Sequence, residues 1–306
     1  TAQGNQDSND IGDFYYTPPS GYLALCTSNL PAVAVIPSEH FNTVLYTGTG
    51  SSLAVTGVGF QPDFVWIKQR SSTEWHHLYD TVRGAGKAIY TNELTAESSY
   101  DAQRLASFDS DGFTVGTNSG VNTSSATMVA WNWNCPTSFS GTTAQGFDYE
   151  GKSNADAGIS IVTVEDNYDA GTQELPHNLT KAPEIMFRKN INEGANNWDT
   201  AVSSIGTGKA IRINNTGAAY TGGWYSYVAT SSVIKINDGQ DTGDSSGLGF
   251  IFYCFHSVDG YSKVGSYETN GASGDNPGAF VYTGFRPAFV MIKSVDHTNA
   301  HTHWIM

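Results

Sequence analysis

The sequence predicts an all-β protein of tandem antiparallel β-sandwich modules, jelly-roll or lectin-like in type, with a third module that is truncated. Three observations predict it. One ten-residue phrase recurs. The composition favours strands and tight turns. No window of helical length carries both a helical period and caps.

The recurring phrase is GFQPDFVWIK at Gly59–Lys68 and GFRPAFVMIK at Gly284–Lys293, identical at seven of ten positions. A weaker copy, LTKAPEIMFRK, runs from Leu179 to Lys189, and Pro62, Pro183 and Pro287 hold the same place in all three. The first two copies continue in parallel. LYDTVRGAGKAIYTN from Leu78 resembles NWDTAVSSIGTGKAIRIN from Asn197, and both contain GKAI. MVAWNWNC, ending at Cys135, and GFIFYCFH, ending at His256, close the two modules at an offset of about 120 residues. Repeats of this kind decide architecture before any local detail does.

Composition agrees. Gly numbers 33, aromatics make up 12% and charged residues only 14%, against roughly 25% charged in average proteins. Strands prefer aromatic and β-branched residues, and turns prefer Gly, Asn, Asp and Ser. DFVWIK reads as a strand launched by a Pro-containing turn. FDSDGFTVGT from Phe108 reads as a hairpin turning at Asp111-Gly112. VIKINDGQDTGD from Val233 holds the same place in the second copy. In TMVAWNWNC, Met128, Ala130, Asn132 and Asn134 share one face, and Val129, Trp131, Trp133 and Cys135 share the other. Asp101–Ser107 is the one candidate for a helical turn.

These landmarks divide the chain into an N-terminal arm or connector (1–40), module 1 (41–135), a Gly/Ser/Thr-rich linker, flexible or draped over the surface (136–157), module 2 (158–256) and the start of module 3 (257–306). The third copy is expected to contain its first two strands only, and to pack on a neighbour. The opening TAQGNQDSND is polar and lacks Met, so residue 1 is expected to lie inside a longer polypeptide or to follow processing.

Net charge is −14 and the pI about 4.8, which argues against nucleic acid and against an anionic membrane surface as partners. Cys26, Cys135 and Cys254 are an odd number with no C-x-x-C spacing, and read as free thiols. Cys135 and Cys254 sit at matching ends of the two closing strands.

A search for chemistry is mostly negative. G-x-S-x-G, the full P-loop and H-E-x-x-H are absent; GAGKA at Gly84 reads as a turn within the repeat. The acids of Asp109–Gly112 and Asn237–Asp244 superficially suggest calcium, but lack the Glu a full loop needs; Asp and Asn that cap their own turns explain them. Trp75-His76-His77 and His297, His301 and His303 form two groups, and paired imidazoles of the second could meet a metal on a trimer axis. Exposed or partner-packed histidines are the competing reading. No catalytic residue, metal or cofactor is expected. Aromatic side chains near loops are the usual means of stacking on sugars. Trp75, Tyr79, Trp198 and Trp224, with Tyr225 beside the last, are the glycan-binding candidates; packing in cores or subunit contacts is the competing role.

The phrases PPSGYLALCTSNLP, HFNTVLYTGTGSS, TGVGFQPDFVWIKQRSS, SFDSDGFTVGTNSGVNTSS and DGYSKVGSYETNG resemble a recurring module of marine, cyanophage-like bacteriophage virion proteins. The resemblance covers most of Gly21–Trp304, with the second module departing most. It implies a non-enzymatic structural virion protein located in the virion, outside the cell. Tail-fibre or tail-appendage type and host attachment are the leading expectation. A capsid-decorating or head-fibre protein and, third, a polysaccharide depolymerase with paired carboxylates are the alternatives. The partners it implies are other virion proteins, further copies in a homotrimer, and host surface glycan.

Overall fold

In the computed structural model, residues 3–29, 35–99, 101–166, 173–221, 229–236, 248–269 and 278–296 are described. The chain divides into two compact units, Thr1–Ala34 and Val35–Met306. The first is no extended arm. Asp7 organises it: its carboxylate accepts from Ala24 N (2.7 Å), Asn29 Nδ2 (2.6 Å), Asn9 N (2.9 Å) and Ile11 N (3.1 Å). The Ala24 N–H leads the contacts that hold the Asp7 carboxyl below its ordinary pKa.

The second unit is all-β apart from single turns of helix. Its first half contributes β1 (Phe41–Thr47), β2 (Leu53–Thr56), β3 (Phe64–Gln69), β4 (His77–Asp80), β5 (Lys87–Tyr90), β6 (Ser98–Ser99), β7 (Leu105–Asp109), β8 (Gly112–Val115) and β9 (Thr127–Trp133). Its second half contributes β10 (Thr137–Thr142), β11 (Asp148–Asn154), β12 (Ile159–Asp166), β13 (Gln173–Pro176), β14 (Ile185–Asn190), β15 (Asp199–Val202), β16 (Lys209–Arg212), β17 (Tyr220–Thr221), β18 (Val233–Ile236) and β19 (Leu248–Phe255). The predicted 108–113 hairpin is β7–β8. The candidate helical turn is a 3₁₀ turn at Asp101–Gln103. The turn predicted after β18 lies outside the described residues.

Strand order shows how the first two copies correspond. The first large sheet runs β1-β9-β3-β4-β5-β6, and the second runs β10-β11-β12-β19-β14-β15-β16-β17. From β12 onward the second repeats the order of the first. All named pairings are antiparallel. The small sheets β2-β8-β7 and β13-β18 correspond in the same way. The G-x-G before each GKAI also corresponds: φ is +96° and +79° at Gly84 and Gly86, and +96° and +75° at Gly206 and Gly208. Glycine adopts that region without steric cost.

Register corrects two details of the sequence reading. Ile89 lies opposite Leu78, and Ile211 opposite Thr200. Leu78 therefore corresponds to Thr200, and Asp80 to Val202; the Asp-Thr shared by LYDT and NWDT is not at equivalent places. Likewise Val65 faces Asn132, and Met186 faces Cys254. Cys254 thus takes the place of Asn132, and points to the opposite face from that of Cys135.

The two large sheets pack face to face. Their shared core holds Phe64, Trp66 and Trp133 from the first half, with Ile159, Ile161, Trp198, Ile251 and Tyr253 from the second. The alternate residues of the same strands face outward into two further cores. Val65, Ile67 and Ala130 lie under β2-β8-β7, and Val162, Val164, Phe250 and Phe252 lie with Leu175 of β13 and Ile234 of β18. Strands buried on both faces read as continuous apolar runs, which is why DFVWIK alternates only loosely. The halves are therefore not two sandwiches on a flexible tether. Residues 136–157, read as a linker, form β10 and β11 and widen the second sheet.

Among the described residues the third copy does not form its expected strands. Among described residues, 278–293 have only a bridge at Ile292. In the first half, β9 and β4 flank β3, and nothing described flanks the third copy in that way; a strand needs a neighbour's backbone. The copy still keeps the φ of its first glycine, +88° at both Gly59 and Gly284. It also docks: Phe289 lies 5.5 Å from Trp131 and 5.8 Å from Trp133, ring centre to ring centre.

Candidate functional surface

The most highly connected polar groups lie in the seam between the two large sheets. Asp80 ends β4, and the following turn brings Arg83 back onto it, with Nε donating to Asp80 Oδ2 at 2.7 Å. Tyr253 Oη, from the second half, donates to the same oxygen at 2.6 Å. Arg83 Nη1 donates to Glu97 Oε2 at 3.0 Å. Burial alone would lower the Arg83 pKa, but Asp80, Tyr253 and Glu97 outweigh it and hold the guanidinium charged. A second bridge joins Lys152 Nζ of β11 to Asp63 Oδ1 at 2.7 Å, and Asp63 also accepts from Thr81 Oγ1 and Cys135 N. Lys189 is fully buried and donates to Leu94 O and Asn196 O. Burial brings its pKa down to about 8, with Asp199 opposing. Every donor here meets an acceptor within the fold. These carboxylates therefore serve as fixed structural acceptors and offer no open pair for acid–base chemistry.

Sequence reading missed this network. Its one local signal is Asp80 and Arg83 at i, i+3 beside a strand end. The long-range partners Tyr253 and Glu97 have none.

The glycan candidates separate sharply. Trp75 is 43% exposed, on the β3–β4 loop, with its ring edge-on to Tyr90 at 4.9 Å. Tyr79 and Trp198 are fully buried, which corrects their assignment: no sugar ring reaches them. Strand alternation turns Tyr79 into the core under β2-β8-β7. Trp198 fills the seam, where its Nε1 donates to Tyr90 O at 2.6 Å. Trp224 and Tyr225 lie outside the described residues.

His77 is buried and His76 partly buried. Trp66 Nε1 donates to His76 Nδ1 at 3.1 Å. His77 Nδ1 lies 3.3 Å from Tyr79 Oη. Burial, helped by nearby cations, lowers their pKa values to about 4 and about 3, so both rings are neutral at pH 7. His297, His301 and His303 lie outside the described residues. Among the described residues no group of three potential ligands could hold a metal. Of the turn acids, Asp111 caps backbone, accepting from Gly57 N (3.1 Å) and Gly59 N (2.7 Å), and 237–244 lie outside the described residues. Asp109 accepts from Ser107 Oγ and Thr114 Oγ1. The three cysteines are free thiols, Cys135 and Cys254 buried. Among the described residues no helix is long and apolar enough to cross a membrane.

Fold and seam define a β-protein whose two equivalent large sheets share one core. The match to known families begins where that body begins: the chain belongs to the family described as a domain of unknown function, DUF7483, whose model matches residues 36–306. No curated protein and no solved structure matches the chain.

Proposed function

We propose that the chain is a structural protein of a bacteriophage virion, a tail fibre or tail appendage that engages the host surface by contact and carries out no reaction. The virion assignment rests on the resemblance of the repeated phrases. One observation carries the contact reading. The seam carboxylates are committed to fixed donors inside the fold, whereas Trp75 is presented to solvent on a loop. An aromatic ring held edge-on against a second ring is stiff, and a stiff exposed ring face suits stacking on the C–H face of a sugar.

Immunogold labelling of intact virions tests the assignment, with label expected on the tail. Label over the capsid would replace the tail reading with a decorating role, and unlabelled virions would sink both. A host-glycan array tests attachment, with binding expected for the full chain and lost in Trp75→Ala. Release of reducing ends from host polysaccharide would reverse the non-enzymatic reading.

A further inference from the structure

β1 is one of the two edge strands of the six-stranded sheet. Asn134 N donates to His40 O (3.0 Å) and Gly48 N to Ala126 O (2.8 Å) at its two ends. That phase commits the even residues of β1 to β9. The N–H and C=O groups of Phe41, Thr43, Leu45 and Thr47 therefore point away from the sheet. Asn42 Oδ1 takes the Thr43 N–H at 2.9 Å. Among the described residues no strand pairs with this edge.

The second half shows what such an edge takes. β12 stands beside β19 as β1 stands beside β9, with Phe41 opposite Trp133 and Ile159 opposite Phe255. The outer edge of β12 is covered by β11 in antiparallel register, from Tyr149–Val164 to Asn154–Ile159. β1 also lacks what usually blunts an edge: FNTVLYT contains no charge and no Pro. Leu45, on the same side as Phe41, is 62% exposed. The chain carries −14 overall, so two copies repel across most faces, and β1 is an uncharged gap in that field.

We infer that β1 pairs antiparallel with β1 of a second copy of this chain, centred near Leu45, so that two six-stranded sheets continue as one. The pairing is self-complementary. Each new backbone bond is made twice, and the two Leu45 side chains meet across the axis. The inference does not depend on the virion assignment, and unlabelled virions would leave it standing.

Sedimentation velocity of the full chain over a micromolar concentration series tests it, with far-UV circular dichroism as the fold control. A dimer that dissociates on dilution is expected. Leu45→Lys combined with Thr47→Lys places like charges at the edge, and gives a folded monomer. Leu45→Pro deletes an outward N–H that the sheet does not use, and gives the same. Hydrogen exchange on the unaltered chain supplies a readout independent of any variant's folding: Leu45 and Thr47 amides gain protection as concentration rises. A monomer throughout the series overturns the inference. So does a dimer that survives the β1 changes, or one dissolved instead by Ser140→Lys on the β10 edge. Leu45 protection that is independent of concentration means another part of the same chain covers the edge, and overturns it too.

Discussion

Tyr253 Oη donates to Asp80 Oδ2 at 2.6 Å across a sequence separation of 173 residues, and the same oxygen receives Arg83 Nε. One buried carboxylate oxygen thus ties the two halves together. Removing one partner of a buried ion pair strands the other charge and costs about 3–5 kcal/mol. Removing one hydroxyl donor costs about 1–3 kcal/mol. Arg83→Ala is expected to destabilise more than Tyr253→Phe. In both, tryptophan fluorescence and far-UV circular dichroism should follow one denaturant transition. Two separated transitions would show that the halves unfold independently.

Burial holds His76 and His77 neutral, with folded pKa values of about 4 and about 3 against about 6.5 in the unfolded chain. Below pH 6.5 the unfolded chain takes up protons that the folded chain refuses. Stability is therefore complete above pH 6.5 and falls as pH drops toward 4, by about 1.4 kcal/mol per pH unit for each ring. Urea midpoints measured at pH 7 and pH 5 should show the loss, and His77→Gln should flatten the slope between them. An unchanged slope in His77→Gln would remove His77 as its source.

Trp75→Ala is expected to change glycan binding and leave the melting temperature unchanged, because the ring is only partly covered. Trp198→Ala and Tyr79→Ala do the opposite. Each empties a fully buried site and costs about 3–5 kcal/mol. Differential scanning calorimetry beside an array readout separates the two behaviours. A large melting shift in Trp75→Ala would make it a core residue.

That contrast marks what the sequence makes legible. Trp131 and Trp133 declare their shared face because β9 alternates cleanly, and Asp111-Gly112 declares its hairpin because turn chemistry is local. Tyr79 and Trp198 carry no local sign of their depth. Trp198 is buried by the other large sheet, and its bond to Tyr90 O spans 108 residues. Tyr79 is buried by the small sheet β2-β8-β7 of its own half. The Gly, Ser and Thr that make 136–157 look like a tether are equally suited to an edge strand such as β10, where one face is exposed and Phe139 on the other packs against a core. Nor does spelling fix register: Asp80 and Asp199 match as letters, and pairing with GKAI places them three residues apart.

Cys135 and Cys254 are fully buried, and burial raises both thiol pKa values. Native protein should therefore react with a thiol reagent at Cys26 alone, with the other two labelled only in denaturant. Prompt labelling of Cys254 in the native state would mean that the core formed by β12, β14 and β19 opens on the time scale of the reaction.

The shared layer between the two large sheets has a consequence for descent. Tandem duplication first yields two interchangeable copies, and either can be lost or exchanged. Once Phe64 stacks on Tyr253 at 4.7 Å, each copy has become the other's interior, and a crossover that carries away one leaves its sister with a bare aromatic sheet. The heritable unit is then at least the pair, so a relative reduced to a single copy is not expected in such a lineage.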